Sequence, residues 1–393
     1  MRSGARTWTL SLEGEHADVR IAIDARELIG RVTGVGRYLS EILSAWCELP
    51  AATRHELILC APAPIDVSRW PALHMRTLGA PMPVAVGQGS TWGPPSGGPG
   101  GTLWEQTTLP RLLRRANVDL LWAPAYTGPI WSPVPMVLTI HDVSFAAHPE
   151  WFSWREGMRR RLLTRLSGQR ARRVLTDSSF SKEEIRRHLH VDGDAIDVIY
   201  PGVRPVSSTP SSPPASAPTA LFVGSIFNRR HVPELIDAFG RLAERRPDVH
   251  LEIVGDNRTH PPVDIHALAS RNGSRVRVRS YVSDAELTSL YGSASAFVFL
   301  SDYEGFGFTP LEALSAGVPI VVLDTPVARE IYGPAAVYVD APDPSLIEAA
   351  LELVLFDTER RARLMDAAAT ILPRYSWQEC AHRTLQVLLG ATK

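Results

Sequence analysis

The chain has 393 residues, more than one ordinary hydrophobic core organises, so two domains are expected. Its hydrophobic fraction of 45% and charged fraction of 21% are globular proportions, and a formal net charge of −1 gives no field that would draw in nucleic acid. Cys47, Cys60 and Cys380 stand too far apart for a zinc ligand set or a disulfide framework, and no run of 18 apolar residues reaches across a bilayer, which together point to a protein of the reducing cytoplasm.

Residues 1–17 are polar, lack the apolar stretch of a signal peptide, and read as a flexible extension. Residues 19–24 alternate as a strand does. Thr33-Gly34-Val35-Gly36-Arg37-Tyr38 then opens a helix whose Val35, Tyr38, Leu39, Ile42, Leu43 and Trp46 share one face. Without a third glycine and a well-spaced acid, this is no dinucleotide fingerprint. A mobile loop is expected at about 80–101, which is rich in Pro, Gly and Ser. Trp104 begins a helix, 118–123 is a strand, and 135–140 is another that ends in His141-Asp142. Ligands of open parallel sheets bind at the C-terminal ends of strands, which makes these two residues candidates, although a histidine there is more often structural. Residues 151–173 are helical and carry eight arginines around Leu162, Leu163 and Leu166. The ordinary explanation is a solvated basic face over a packed leucine stripe; the functional one is attraction to anionic lipid or to a lipid-phosphate acceptor. Thr176-Asp177-Ser178 follows a short strand and starts a helix, and 198–203 closes the first domain.

The Pro- and Ser-rich stretch 205–218 is a linker by composition. Strand 220–224 leads into a loop holding Arg229 and Arg230, then a helix with Val232, Leu235, Ile236, Phe239 and Leu242 on one face. Adjacent arginines are ordinarily surface charges, but at a strand–helix loop their planar forks suit a pair of phosphates. After strand 251–256, Ser283-Asp284-Ala285-Glu286 spells a capping box directly behind Tyr281-Val282. Residues 296–300 and 318–323 read as neighbouring buried parallel strands, joined by Glu304-Gly305-Phe306-Gly307-Phe308-Thr309-Pro310-Leu311-Glu312. A short helix is expected over 310–316, with Pro310 in first position and Gly317 as its stop. Glycines running into a helix N-terminus form an anion site, and two flanking glutamates add hydroxyl acceptors. Thr309 and Glu312 also spell a capping box, which would make Glu312 structural. Glu330 and Tyr332 are expected in a loop before strand 336–339, and the chain ends in an amphipathic helix, 379–389.

Taken as a run, Glu304 to Glu312, followed by Ala313-Leu314-Ser315-Ala316-Gly317-Val318-Pro319, resembles the Glu-x7-Glu motif of family-4 glycosyltransferases of the GT-B type. Asp24, Arg26, Gly34, Gly36, Arg37 and Tyr38 resemble that family's opening, and Thr139-Ile140-His141-Asp142 its histidine motif. Arg229-Arg230 stands where the family has an Arg-Lys pair, so Arg230 departs from the pattern. The resemblance extends over about 19–389. It implies an α/β GT-B fold: two doubly wound Rossmann-like domains, 18–204 on the acceptor side and 219–374 for the nucleotide sugar, facing a deep interdomain cleft, with 375–393 crossing back to the first domain. It implies a retaining glycosyltransferase that moves a hexose, mannose from GDP-mannose by preference, to a glycan or polyprenyl-linked glycan hydroxyl, with no metal ion and no cofactor. His141, Asp142 and Glu304 would be catalytic. Arg229, Arg230, Gly34, Gly36, Gly305, Phe306, Gly307 and Phe308 would hold the diphosphate, Glu312 the ribose, and Tyr281 and Val282 the base. The enzyme would work in the cytoplasm, with possible peripheral contact at the inner face of the membrane. A GT-B epimerase or phosphorolytic enzyme, or a non-catalytic scaffold of polysaccharide assembly, are the alternatives.

Overall fold

The computed structural model describes residues 18–30, 34–79, 99–205 and 217–392. The expected N-terminal extension, most of the loop at 80–101 and most of the linker lie outside these. Seven parallel strands form the first sheet: β1 (Arg20–Asp24), β2 (Glu56–Ala61), β3 (His74–Gly79), β4 (Leu120–Ala123), β5 (Met136–Thr139), β6 (Arg173–Thr176) and β7 (Ile196–Val198), in the order β3-β2-β1-β4-β5-β6-β7. Six more form the second: β8 (Thr219–Val223), β9 (His250–Val254), β10 (Val276–Arg279), β11 (Ala296–Phe299), β12 (Ile320–Leu323) and β13 (Ala336–Val339), in the order β10-β9-β8-β11-β12-β13. Each order reverses once, at β1/β4 and at β8/β11, and the crevice at such a reversal is where open α/β sheets take ligands.

The helices that matter for the site are α1 (Val35–Cys47), α2 (Trp154–Arg170), α3 (Ser179–Leu189), α4 (Val232–Arg245), α5 (Asp284–Ser293), α6 (Phe308–Ser315), α7 (Pro326–Tyr332) and α8 (Trp377–Gly390). They cover the sheets on both faces, so the central strands are apolar throughout. In β1, Ile21 and Ile23 pack with Leu39, Ile42 and Trp46 of α1, while Ala22 points to the opposite layer with Ile58, Leu121 and Leu138. Beyond the second sheet the chain returns: α8 lies on α1, with Cys380, Leu385 and Leu388 in the first domain's core and Trp46 Nε1 donating to the Ala381 carbonyl at 2.9 Å. Gly202 lets this happen, because a Cβ there would overlap the backbone of Trp377.

Four local expectations are corrected. The helix expected at Trp104 begins at Pro99, and Trp104–Thr108 is a π-helical turn. Its register is set by a buried ion cluster, since Arg26, between Asp24 and Glu105, also donates to the Gly101 carbonyl at 2.8 Å. Helix α6 starts at Phe308 with Gly307 as its cap in the left-handed region, φ 91°, so Pro310 is in the third position and Thr309 caps nothing. Glu330 and Tyr332 belong to a helix, α7, and not to a loop. Finally, α2 has no packed leucine stripe: Leu162 is 54% exposed, while Gly157, Thr164, Ser167 and Gly168 face inward.

Candidate active site

The site lies where the C-terminal ends of the two sheets face each other. On the first domain, the turn after β5 carries His141, whose ring has both nitrogens engaged. Nδ1 lies 2.7 Å from Oδ2 of Asp177 and Nε2 lies 3.1 Å from the Pro124 carbonyl. A carbonyl only accepts and a carboxylate accepts as well, so the two partners together favour a hydrogen on each nitrogen, the imidazolium form. Burial opposes that charge, but Asp177 outweighs it and the His141 pKa is raised. Asp142 is anchored within its own domain, accepting from the Tyr126 hydroxyl at 2.9 Å and from the Ser144 N–H at 2.8 Å. Tyr126 sits at φ 65°, a conformation a non-glycine residue adopts only when its surroundings hold it there.

On the second domain, Glu304 follows β11. Its Oε1 accepts from Arg230 Nε at 3.0 Å, Arg230 Nη2 at 2.8 Å and the Ser301 hydroxyl at 2.9 Å. Among the described residues Oε2 has no hydrogen-bond partner. Arg230 donates its remaining nitrogen, Nη1, to the Ser225 carbonyl at 2.9 Å, so each nitrogen of its guanidinium has a protein partner and two of the three hold Glu304. Arg229 differs. Its guanidinium is stacked between the rings of Phe227 and, from the opposite domain, Trp151, at 4.6 and 5.0 Å. Its Nε is buried with no hydrogen-bond partner. Burial lowers its pKa, Glu304 opposes this, and Arg230 adds to the lowering. A desolvated cation with an unused donor is an incomplete anion site.

The glycine loop meets protein as well as empty space. A Cβ at Gly305 would overlap the His141 carbonyl oxygen, and one at Gly307 would overlap the Tyr332 hydroxyl, which donates to the Gly307 carbonyl at 2.8 Å. The side chain of Phe306 is buried against Tyr375, which leaves its amide for a ligand, while that of Phe308 stacks on Trp377 and lines the cavity between α1 and α6. Glu312 is not part of a capping box. It accepts from the Tyr291 hydroxyl of α5 at 3.2 Å and pairs with Arg37 of the first domain at 3.3 Å, and burial raises its pKa against the pull of Arg37. Gly34 caps α1 at φ 51° with open space where a Cβ would be. Together Gly34, Arg37, Thr309 and Glu312 line a cavity of about 190 Å³ between the N-terminal ends of α1 and α6.

The structure thus brings His141, Glu304, Arg229, Arg230, Gly34, Glu312 and residues 305–308 to one cleft. It does not bring Val282, which is 8% exposed in the second core, whereas Tyr281 beside it is 61% exposed in the loop between β10 and α5. Sequence reasoning gave no role to Asp177, Tyr126 or Glu330. Glu330 reaches across the cleft, accepting from the Ser179 N–H at 2.7 Å, the Phe180 N–H at 2.9 Å and the Tyr200 hydroxyl at 2.9 Å. The hydroxyls of Ser178 and Ser181 donate to the Gly305 carbonyl at 2.6 and 3.1 Å. No local pattern marks residues that act on a domain far away in sequence.

Residues 32–206 match the family described as Glycosyltransferase Family 4, and 205–370 the family described as Glycosyl transferases group 1. The O-antigen chain mannosyltransferase B of Escherichia coli is 30% identical over 264 residues, 63% of this chain and 68% of that one. The chain belongs to the family-4 glycosyltransferases. A D-inositol 3-phosphate glycosyltransferase of Xylanimonas cellulosilytica is 31% identical over 235 residues, and this family-4 chain matches about half of that relative, 55%. Among solved structures, Anabaena HepE in complex with UDP and glucose superposes with a TM-score of 0.68 at 18% identity, covering 95% of this chain and 100% of that one. At that identity the likeness is one of fold: the two facing parallel sheets are the GT-B architecture. The protein is a transferase enzyme.

Proposed function

We propose that this glycosyltransferase takes a hexose from a nucleoside diphosphate sugar and attaches it, with retention of the anomeric configuration, to a hydroxyl of a glycan or lipid-linked glycan at the cytoplasmic face of the membrane. The observation that carries the donor half is Arg229, whose buried Nε has no hydrogen-bond partner and whose charge feels the Glu304 carboxylate that Arg230 clamps. The donor diphosphate completes it. The amides of 305–308, with the α1 and α6 N-termini, add further donors where charge gathers as the C1–O bond breaks. Each such donor is worth roughly 2–4 kcal/mol of barrier, by comparison with oxyanion-hole removals. Glu304 Oε2 accepts from the sugar hydroxyls, and Glu312 from the ribose once Arg37 has moved aside.

Retention proceeds on one face of the sugar: the acceptor oxygen bonds to C1 as the phosphate oxygen leaves, and the departing phosphate takes the acceptor proton. The imidazolium of His141, with neither nitrogen available to substrate, supplies fixed positive charge and seats the Gly305 loop; Asp142 holds Tyr126 in place. Positive charge at the leaving group thus comes from arginine and helix termini, and the reaction is metal-independent in this reading. Mannose is the preferred hexose, supported by the mannosyltransferase name of the E. coli relative, and GDP-mannose is the donor proposed to carry it.

The test is thermal stabilisation by GDP, UDP, ADP and dTDP, followed by turnover of the matching sugar nucleotide and NMR of the product anomer. Saturation at a hundred times the dissociation constant adds about 2.7 kcal/mol, a visible shift. Arg229→Ala is expected to abolish that shift while the apo melting temperature holds. Absence of any nucleotide effect in the parent protein defeats the proposal, and an inverted product defeats its stereochemistry.

A further inference from the structure

Helix α2 is built inside out. Facing inward are Gly157, Thr164, Ser167 and Gly168: the Ser167 hydroxyl donates to the Gly128 carbonyl at 2.8 Å, and a Cβ at Gly168 would come within 2.9 Å of Val191. Small residues let the helix sit close, with Leu163 and Leu166 half-buried at its flanks and three large apolar side chains left outside. Trp154, Met158 and Leu162, spaced i, i+4, i+8, are 75%, 52% and 54% exposed. At about 100° per residue these three span roughly 80° of arc. Arg155, Arg161 and Arg165 are exposed on the same side, while the only acid in the helix, Glu156, is paired with Arg160. Beyond the C-terminal end, Trp131 is 72% exposed with Arg170 over its ring at 4.9 Å. Leu103, 42% exposed, is tied alongside by the Arg159–Thr102 hydrogen bond.

We propose that this face is the surface by which the enzyme docks on an anionic bilayer, with Trp154, Met158, Leu162 and Trp131 entering the interfacial zone and the arginines meeting lipid phosphates. Two features select lipid over a protein partner. Among the described residues the apolar groups are ringed by positive charge with no unpaired acid between them, the complement of an anionic leaflet, and tryptophans at both ends suit the headgroup boundary. The adjoining flank of the same helix, Arg159 and Leu163, lines a cavity of about 130 Å³ with Tyr126 and Phe145. Docking would therefore set that cavity beside the bilayer, where a lipid-linked acceptor is held. In this purpose the inference rests on the acceptor reading above; in its physics it does not.

The experiment is sedimentation of the full chain with vesicles of phosphatidylcholine alone or of phosphatidylcholine mixed with phosphatidylglycerol, without donor or acceptor; the anionic lipid supplies the surface potential that draws basic side chains. Binding is expected to the anionic vesicles only and to weaken with salt. The triple variant Trp154→Ser/Met158→Ser/Leu162→Ser and the triple Arg155→Gln/Arg161→Gln/Arg165→Gln are each expected to keep the melting temperature, since all six side chains are exposed. The arginine variant should bind about a hundredfold more weakly, at roughly fivefold per charge. No sedimentation of the parent protein, equal binding to neutral vesicles, or full binding by both variants overturns the proposal. So does a parent dimer in light scattering that the apolar variant dissolves, which would make a second copy the occupant. Transfer to a water-soluble acceptor is expected to survive both variants, which separates failure of the docking face from failure of the proposed reaction.

Discussion

Glu330 is the sharpest place to test how the two domains work together. Its carboxylate accepts two backbone N–H groups of the first turn of α3 and one hydroxyl from Tyr200, so one side chain of the second domain caps a helix of the first. Glu330→Ala removes all three bonds. Hydrogen bonds to a charged group contribute about 1.5–3 kcal/mol each, but Ser179 is exposed and water can replace the glutamate there. Taking about 1 kcal/mol net for each of the three gives ~3 kcal/mol of preference for the closed arrangement, a factor of roughly 150 in the open–closed equilibrium. The cost should fall on closure and not on folding, because neither domain's core contains Glu330. The assay is small-angle scattering for the radius of gyration, with steady-state kinetics alongside. The variant should be more extended without ligand, and kcat/KM should fall by at least tenfold while the melting temperature moves little. An unchanged radius with unchanged kcat/KM would refute the reasoning, and a large loss of melting temperature would show that Glu330 stabilises folding instead.

The strands and the amphipathic helices were legible because their signals are local. Runs such as Ala296-Phe297-Val298-Phe299 have no alternation to offer when both faces are covered, and they are buried at every position. The two-domain parallel architecture followed from strand–helix alternation, and the glycine loop from its place between two such runs. What was misread turned on tertiary context. Thr309-x-x-Glu312 has capping-box spelling, yet Gly307 with its positive φ takes the cap because the Tyr332 hydroxyl presses on the loop from α7. The leucines of α2 look like a packed stripe, but the approach of Gly168 to Val191 turns the helix so that Leu162 faces out. Arg229 and Arg230 are alike in sequence; only the position of Glu304 makes one a clamp and leaves the other with an unused donor.

The same contacts yield three further expectations. Glu312→Gln should weaken nucleoside diphosphate binding by about 10–100-fold, the worth of a charge-assisted hydrogen bond to ribose, with the apo melting temperature nearly unchanged because the Arg37 partner is half exposed; equal affinity in calorimetry would remove Glu312 from the site. His141, with its pKa raised, contributes stability that is whole below about pH 6.5 and is lost as pH rises through its native value. Denaturant titrations should therefore find the parent protein less stable at pH 9 than at pH 6, and Asp177→Asn should reduce that difference, leaving the share of His231, whose burial is outweighed by Asp302 and Glu234, which raise its pKa to about 9; a difference that the substitution leaves unchanged would place its source elsewhere. Gly305→Ala puts a methyl group into the His141 carbonyl, a backbone atom that cannot swing away as a side chain would. Overpacking of this kind costs about 1–3 kcal/mol, and because the two residues belong to different domains the cost is charged to closure. Turnover should thus fall by roughly 5–150-fold while the melting temperature holds, and a variant with parental kcat would mean that catalysis does not require the Gly305–His141 contact.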